Sequence, residues 1–226
     1  MISVYCFSGA GHSSDLANWV SHFIHAPVGR IGTDAFQKTD TAVLVFPVYC
    51  QNIPQPVKNF LRTVTSKYVV LLATYGGISP GNVLQEASGS VRGTVIAAAA
   101  VPTGHSFLSQ PAREDYSALI PLCNRINHPK KAEIPKLFKN PFANFFPSWR
   151  SRMSVAISRT PACDNCKLCE RNCPMQAFQN GKPNHNCIRC LRCVSLCPKN
   201  ALQISVRAVT KQYLHKKRAG RWYIYL

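Results

Sequence analysis

Two runs of cysteine constrain this chain more than any other feature. Cys163, Cys166, Cys169 and Cys173, followed by Pro174, form the pattern C-x2-C-x2-C-x3-C-P. Cys187, Cys190, Cys193 and Cys197, followed by Pro198, repeat it 24 residues later. Eight of the eleven cysteines lie between Cys163 and Cys197, and Cys6, Cys50 and Cys123 are scattered through the first part. An odd count, with no signal-peptide pattern ahead of the first basic residue Arg30, argues against a disulfide scaffold and for metal or redox use. Three thiolates at this tight spacing wrap three iron corners of an iron-sulfur cubane, and the fourth iron must be reached from elsewhere. Two four-cysteine zinc sites are the alternative, although zinc needs neither the third close cysteine nor the proline after the fourth.

The segment Pro161 to Ile204, with Ala177 and Ala201 four residues after each fourth cysteine, resembles the bacterial-type 2x4Fe-4S ferredoxins. The resemblance implies a small α+β domain with two 4Fe-4S clusters whose ligands are crossed between the motifs. Cluster I would take Cys163, Cys166, Cys169 and Cys197, and cluster II would take Cys187, Cys190, Cys193 and Cys173. So few residues bury too little surface to fold alone, so the clusters would organise this segment. One departure from the family is Arg189 and Arg192 between ligands of the second motif, where small residues are usual. Their charge favours the reduced cluster if they face it, whereas guanidiniums in solvent or against an acidic partner leave it unaffected.

Charge divides the chain in the same place. Residues 1–105 hold 6 Lys and Arg against 4 acids, and residues 106–226 hold 21 against 5, within a formal total of +18. Two clusters of charge near −2 would leave about +14. A basic chain of this kind suits an acidic redox partner, attracted through the connector and residues 199–221. No stacking or helix-turn-helix motif supports nucleic acid, so none is expected as a partner. No apolar run is long enough to span a membrane, and we expect a cytoplasmic protein without stable membrane insertion. The basic aromatic tail, Leu214 to Leu226, is expected to dock on the connector or the cysteine domain.

The first half alternates apolar runs with helical patterns, the signature of a parallel sheet built from βα units. Expected strands are Ile2 to Phe7, Val28 to Ile31, Thr41 to Val48, Tyr68 to Thr74 and Thr94 to Val101. Expected helices are Ser14 to Phe23, Pro54 to Val64, Asn82 to Ala87 and Arg113 to Asn124. Around residues 128–157 the periodicity fades into a Pro-rich, Phe-rich basic connector that includes Phe138, Phe142, Phe145 and Phe146. Its aromatics suggest a segment packed across its neighbours. The division is residues 1–127, a connector at 128–157, and 158–226.

The first strand runs into Ser8-Gly9-Ala10-Gly11-His12-Ser13-Ser14, a loop that offers N–H groups and hydroxyls at a helix start, as a phosphate requires. With Pro47-Val48-Tyr49 and Thr74-Tyr75-Gly76-Gly77 after later strands, residues 1–125 resemble the flavodoxins. The resemblance implies an α/β, doubly wound parallel five-stranded sheet of order 2-1-3-4-5 with FMN at its carboxyl end. Ser8, Gly9, Gly11, His12, Ser13 and Ser14 would hold the phosphate. Pro47, Val48 and Tyr49 would flank one side of the flavin ring, and Thr74, Tyr75, Gly76 and Gly77 the other. The family usually has a hydroxyl residue where this chain has Ala10. Cys6, Cys50 and Cys123 are read as bystander thiols and His105 as a surface loop residue.

Together the halves resemble flavodoxin-ferredoxin fusion proteins, found mainly in anaerobes. That resemblance implies an electron-transfer protein relaying electrons between FMN, two 4Fe-4S clusters and a redox partner, with no catalytic residues of its own. The alternatives are a flavin-dependent reductase acting on a small substrate or NAD(P)H, and a ferredoxin with a flavin-free docking domain.

Overall fold

The structure is a computed structural model and describes residues 1–108, 115–144, 147–215 and 220–226. Its centre is a six-stranded, mostly parallel sheet in the order β10-β5-β4-β3-β1-β2. The strands are β1 (Ile2–Cys6), β2 (Val28–Arg30), β3 (Thr41–Pro47), β4 (Tyr68–Tyr75), β5 (Thr94–Pro102) and, from far along the chain, β10 (Tyr223–Tyr225). Strands β1 to β5 are parallel to their neighbours, with Val4 opposite Val43 and Val43 opposite Val70.

Nearly every residue of β3, β4 and β5 is buried because helices cover both faces. Successive side chains point to opposite faces. Tyr5, Phe7, Leu44, Phe46, Leu71 and Ala73 therefore face α2 (Gln55–Leu61) and α3 (Val83–Ser88) through Val57, Leu61, Val83 and Leu84. Val4, Cys6, Val43, Val45, Val70 and Leu72 face α1 (His12–Ile24) and α4 (Ile120–Asn124) through Leu16, Val20 and Leu122. Cys6 and Cys123 belong to this second core, where burial pushes their thiols up to about 12 and about 11. The expected helix from Arg113 starts, within the described residues, as a 3-10 turn at Ser117–Leu119, and Arg113 itself lies outside them.

The sheet has six strands where five were expected. The sixth comes from the tail, which docks on neither the connector nor the cysteine region but on β5, antiparallel, with Tyr223 opposite Ala100 and Tyr225 opposite Ala98. The run of alanines at 97–100 is fully buried and small enough to admit these aromatics. Tyr223 and Tyr225 extend one core, Trp222 and Ile224 the other. The Tyr75 hydroxyl donates to the Arg221 carbonyl and ties the tail to β4. Lys216, Lys217 and Arg218 of the tail lie outside the described residues.

The connector is anchored by polar bonds rather than by its aromatics. Ala132 N–H donates to Val95 O (2.9 Å), Leu137 N–H to Asn82 Oδ1 (3.1 Å) and Asn140 N–H to Gln51 Oε1 (2.8 Å), and Lys139 pairs with Glu86 at 2.7 Å. Phe138 and Phe142 point outward, 79% and 71% exposed, contrary to expectation, and Phe145 and Phe146 lie outside the described residues. The segment ends in α5 (Pro147–Ser154), which has no continuous apolar stripe to betray it, and runs straight into β6 (Val155–Arg159).

Strand β6 pairs antiparallel with β9 (Leu202–Val206), framing the cysteine region. Within it lie α6 (Leu168–Arg171), the small hairpin β7 (Phe178–Gln179) and β8 (Lys182–Pro183), and α7 (Arg192–Ser195). Its apolar core consists of Ile157, Ala177, Phe178, Leu191 and Leu202 together with cysteines. The chain then passes through α8 (Ala208–His215) to β10. Among the described residues no helix is long and apolar enough to cross a membrane.

Candidate redox centre

The two cysteine motifs are backbone copies. Asn165 and Arg189 have φ of 59° and 55°, Lys167 and Leu191 57° and 64°, and Gln176 and Asn200 49° and 47°. A left-handed residue between right-handed neighbours turns successive N–H groups toward one centre, an arrangement that favours anionic groups. The short helices α6 and α7 begin one residue after Lys167 and Leu191. In each copy the N–H four residues beyond the fourth cysteine donates to its sulfur, Ala177 to Cys173 and Ala201 to Cys197, both at 3.2 Å. Both alanines are fully buried.

The cysteines group across the repeat rather than within it. Cys163, Cys166, Cys169 and Cys197 line one cavity of about 390 Å³ with Asp164, Lys167, Lys199 and Arg159 around it. Cys190 and Cys193 lie within electrostatic reach of both Cys187 and Cys173. Burial pushes the Cys190 thiol up to about 11 and the Cys193 thiol to about 12, with the neighbouring thiols adding to the effect and Arg192 opposing it at Cys190. Loading metal here must therefore release bound protons. Among the described residues no three ligand-type side chains converge on one ion-sized point. The first group surrounds a space instead, as a cubane with thiolates at its corners requires.

At the carboxyl ends of β1, β3 and β4 lies a cavity of about 100 Å³. Of the residues singled out in the sequence, Ser8, Gly9, His12, Ser13, Pro47, Val48, Tyr49, Thr74, Tyr75 and Gly76 line it, together with Ala10. Gly11 and Ser14 line a separate groove on the far side of the loop. Gly77 lies apart, next to Gly220 of the tail. Gly11 precedes α1 with φ of 107°, a conformation that favours glycine. Among the described residues the N–H groups from Gly9 to Ser13 have no acceptor in the protein. The Ser13 and Thr74 hydroxyls bond each other at 2.7 Å, while the Ser8 hydroxyl is buried with no partner.

His105 lies in the loop after β5 but is partly buried rather than free on the surface. Its ring packs on Gly76, where an added Cβ would meet His105 at 2.6 Å, and its Nδ1 accepts the Phe107 N–H at 3.2 Å. Burial, with His12 nearby, lowers its pKa to about 4. The Tyr49 hydroxyl is enclosed beside Cys190, and burial holds its pKa well above the ordinary phenol value. Cys50 sits at the rim of the cavity, its sulfur 3.7 Å from the Ser151 hydroxyl of α5.

This cavity opens onto the second cysteine loop, which sequence reasoning did not foresee. Ile188 and Arg189 line it. A Cβ on Gly9 would stand 1.9 Å from the Cys190 carbonyl, so the β1–α1 loop and the cysteine loop touch backbone to backbone. Arg192 Nε donates to Ser8 O (3.1 Å) with its guanidinium 5.0 Å from the Phe7 ring centre, and Ser195 Oγ donates to Gly9 O (3.3 Å). Arg189, only 9% exposed, donates from Nε to Val155 O at 2.9 Å. Arg189 is therefore buried rather than in solvent, as one expectation had it, and Arg192 is partly buried against the loop after β1. The only sequence signal was their place between ligands, where small residues are usual.

One comparison with known proteins falls on this loop. Residues 184–203 match the family described as 4Fe-4S binding domain. Two uncharacterized proteins of Methanocaldococcus jannaschii are similar over short stretches. One is 50% identical over 44 residues, 19% of this chain and 18% of that protein. The other is 45% identical over 58 residues, 25% of this chain and 21% of that protein. The chain thus spans about a fifth of the length of the curated relatives it matches. No solved structure matches. The chain thus carries a ferredoxin-type 4Fe-4S binding domain at residues 184–203, which supports an iron-sulfur electron-transfer role, beside a mixed α/β unit with a six-stranded sheet.

Proposed function

We propose that the protein is an electron carrier with two 4Fe-4S clusters, one held by Cys163, Cys166, Cys169 and Cys197 and the other by Cys187, Cys190, Cys193 and Cys173. The observation that carries this reading is the backbone repeat. The matched family covers only the second motif, yet the first has the same left-handed positions and the same N–H to sulfur bond. N–H groups that donate to a ligand sulfur favour the more negative cluster. Each cluster passes one electron, and the solvent-facing first group, with Lys167 and Lys199 at its rim, suits an acidic partner whose approach slows as salt is raised.

The sheet unit in this reading is flavodoxin-like, with FMN as its cofactor. The phosphate end fits: the free N–H row of residues 9–13 and the unpartnered Ser8 hydroxyl are what a phosphate group bonds. Pro47, Val48 and Tyr49 would flank the ring on one side and Thr74 to Gly77 on the other. When bound, FMN supplies exchange between two-electron and one-electron chemistry. A second reading, a docking unit without flavin, is favoured by the cavity's about 100 Å³, below the roughly 300 Å³ at which ligand pockets usually begin. FMN binding thus requires the segment around His105 to move outward.

Anaerobic purification followed by assay of iron, acid-labile sulfide and extracted flavin tests the whole reading. Near eight irons with one FMN is the expected result. About four irons overturns the second cluster, and failure to take up FMN on reconstitution leaves the flavin-free unit.

A further inference from the structure

The cavity between the sheet and the second cysteine loop holds an unbalanced set of polar groups. Arg189 Nη1 and Ser8 Oγ are both buried without a hydrogen-bond partner, and both residues line this one cavity. Among the described residues no Asp or Glu lines it, and Arg189 makes no ion pair. The other titratable groups that face it are His12, His105, Tyr49 and Cys50. A buried guanidinium, an orphan hydroxyl and a row of free N–H groups at a helix start are all donors. The volume of about 100 Å³ holds several waters or one tetrahedral oxyanion.

We propose that Arg189 completes an anion site in this cavity, so that a phosphate or phosphomonoester is held jointly by the β1–α1 loop and by the second cysteine loop. The inference deepens the FMN reading by adding a charged residue from the other half of the molecule, and it stands for free phosphate even if no flavin binds. Because Arg189 lies between Cys187 and Cys190, the anion and the cluster share one short loop. Any coupling between them is reciprocal, so loss of iron should change phosphate affinity by the same factor as phosphate changes iron retention.

The test measures binding to the iron-loaded full chain, with labelled inorganic phosphate by equilibrium dialysis and with FMN and riboflavin by flavin fluorescence. Phosphate and FMN should bind and riboflavin should not. Arg189→Gln should weaken both by about tenfold to a hundredfold, the range for a hydrogen bond to a charged group, and Arg189→Lys should recover part of the loss. Iron content reports whether the loop is intact. If Arg189→Gln loses iron, Ser8→Ala on the opposite wall decides, and unchanged phosphate binding in it overturns the site. Binding of FMN unaltered in an iron-loaded Arg189→Gln protein overturns the inference while leaving the FMN reading in place. Binding of phosphate without FMN keeps the inference and removes that reading. Binding of neither removes both.

Discussion

The two cysteine loops share spacing and backbone but not surroundings. Cys166 of the first is exposed and its cavity is rimmed by Asp164, Lys167 and Lys199. Cys187 and Cys190 of the second are 9% and 8% exposed, and their loop is pressed against the turn after β1. A repeated sequence therefore yields a repeated cage but two electrostatic environments: one loop faces solvent, the other faces a cavity lined by the sheet.

Removing one ligand from each loop sharpens the comparison most. Cys190→Ser should lose one cluster and, because metal-coupled folding is worth on the order of 10 kcal/mol in small metal sites, should also release the sheet from the cysteine region. Cys166→Ser should lose a cluster with the junction intact. Iron content and limited proteolysis separate the two, and equal proteolytic sensitivity would dissolve the distinction.

Between pH 7 and 5 a pH effect should arise on the buried side. His105 has its pKa lowered to about 4 from an ordinary value near 6.5. The unfolded chain thus takes up a proton before the folded one, and its contribution to stability is complete above about pH 6.5 and lost as pH falls toward 4. The loss reaches at most ~3 kcal/mol. Denaturant midpoints between pH 7 and 5 should fall less in His105→Gln than in the parent.

Gly9→Ala places a methyl against the Cys190 carbonyl, which a rigid backbone cannot yield. A destabilisation of roughly 1 to 3 kcal/mol is expected, whereas Gly11, with nothing near its missing Cβ, tests only its positive φ. The smallest effect concerns potential. In the two-cluster reading, a guanidinium ~10 Å from the second cluster in an effective dielectric of ~20 would favour its reduced form by at most about 1.7 kcal/mol, or ~70 mV for one electron. Arg192→Gln should lower the potential of that cluster and not of the other in an anaerobic redox titration.

Much of this was legible from residue pattern. Continuous apolar runs located β1, β3, β4 and β5 to within a residue or two, because strands buried on both faces leave no polar alternation to misread. The cysteine spacing announced the repeat. What escaped were contacts between segments far apart in the chain. Trp222 to Tyr225 reads as a docking run, but nothing local says that Ala97 to Ala100 is the surface that receives it. Arg189 and Arg192 read as charges near a cluster, and only the fold turns Arg189 to Val155 and Arg192 to Ser8 and Phe7. Helix α5 escaped because it has no apolar stripe. The site residues from Ser8 to Ser13 were legible as a loop; Gly11, Ser14 and Gly77 fell outside the cavity because a βα turn divides its residues between two sides.

The strand β10 has a mechanical consequence. The cysteine region is entered through a connector bonded to the sheet unit and left through a strand zipped onto β5, so it is strapped at both ends. A body hung from one hinge can sweep an arc to meet successive partners. One held by two straps can only rock, and wider travel would require peeling Tyr223 to Tyr225 off the sheet. Charge would then leave this protein because a partner arrives at the exposed loop, and throughput would be governed by collision frequency rather than by an internal swing.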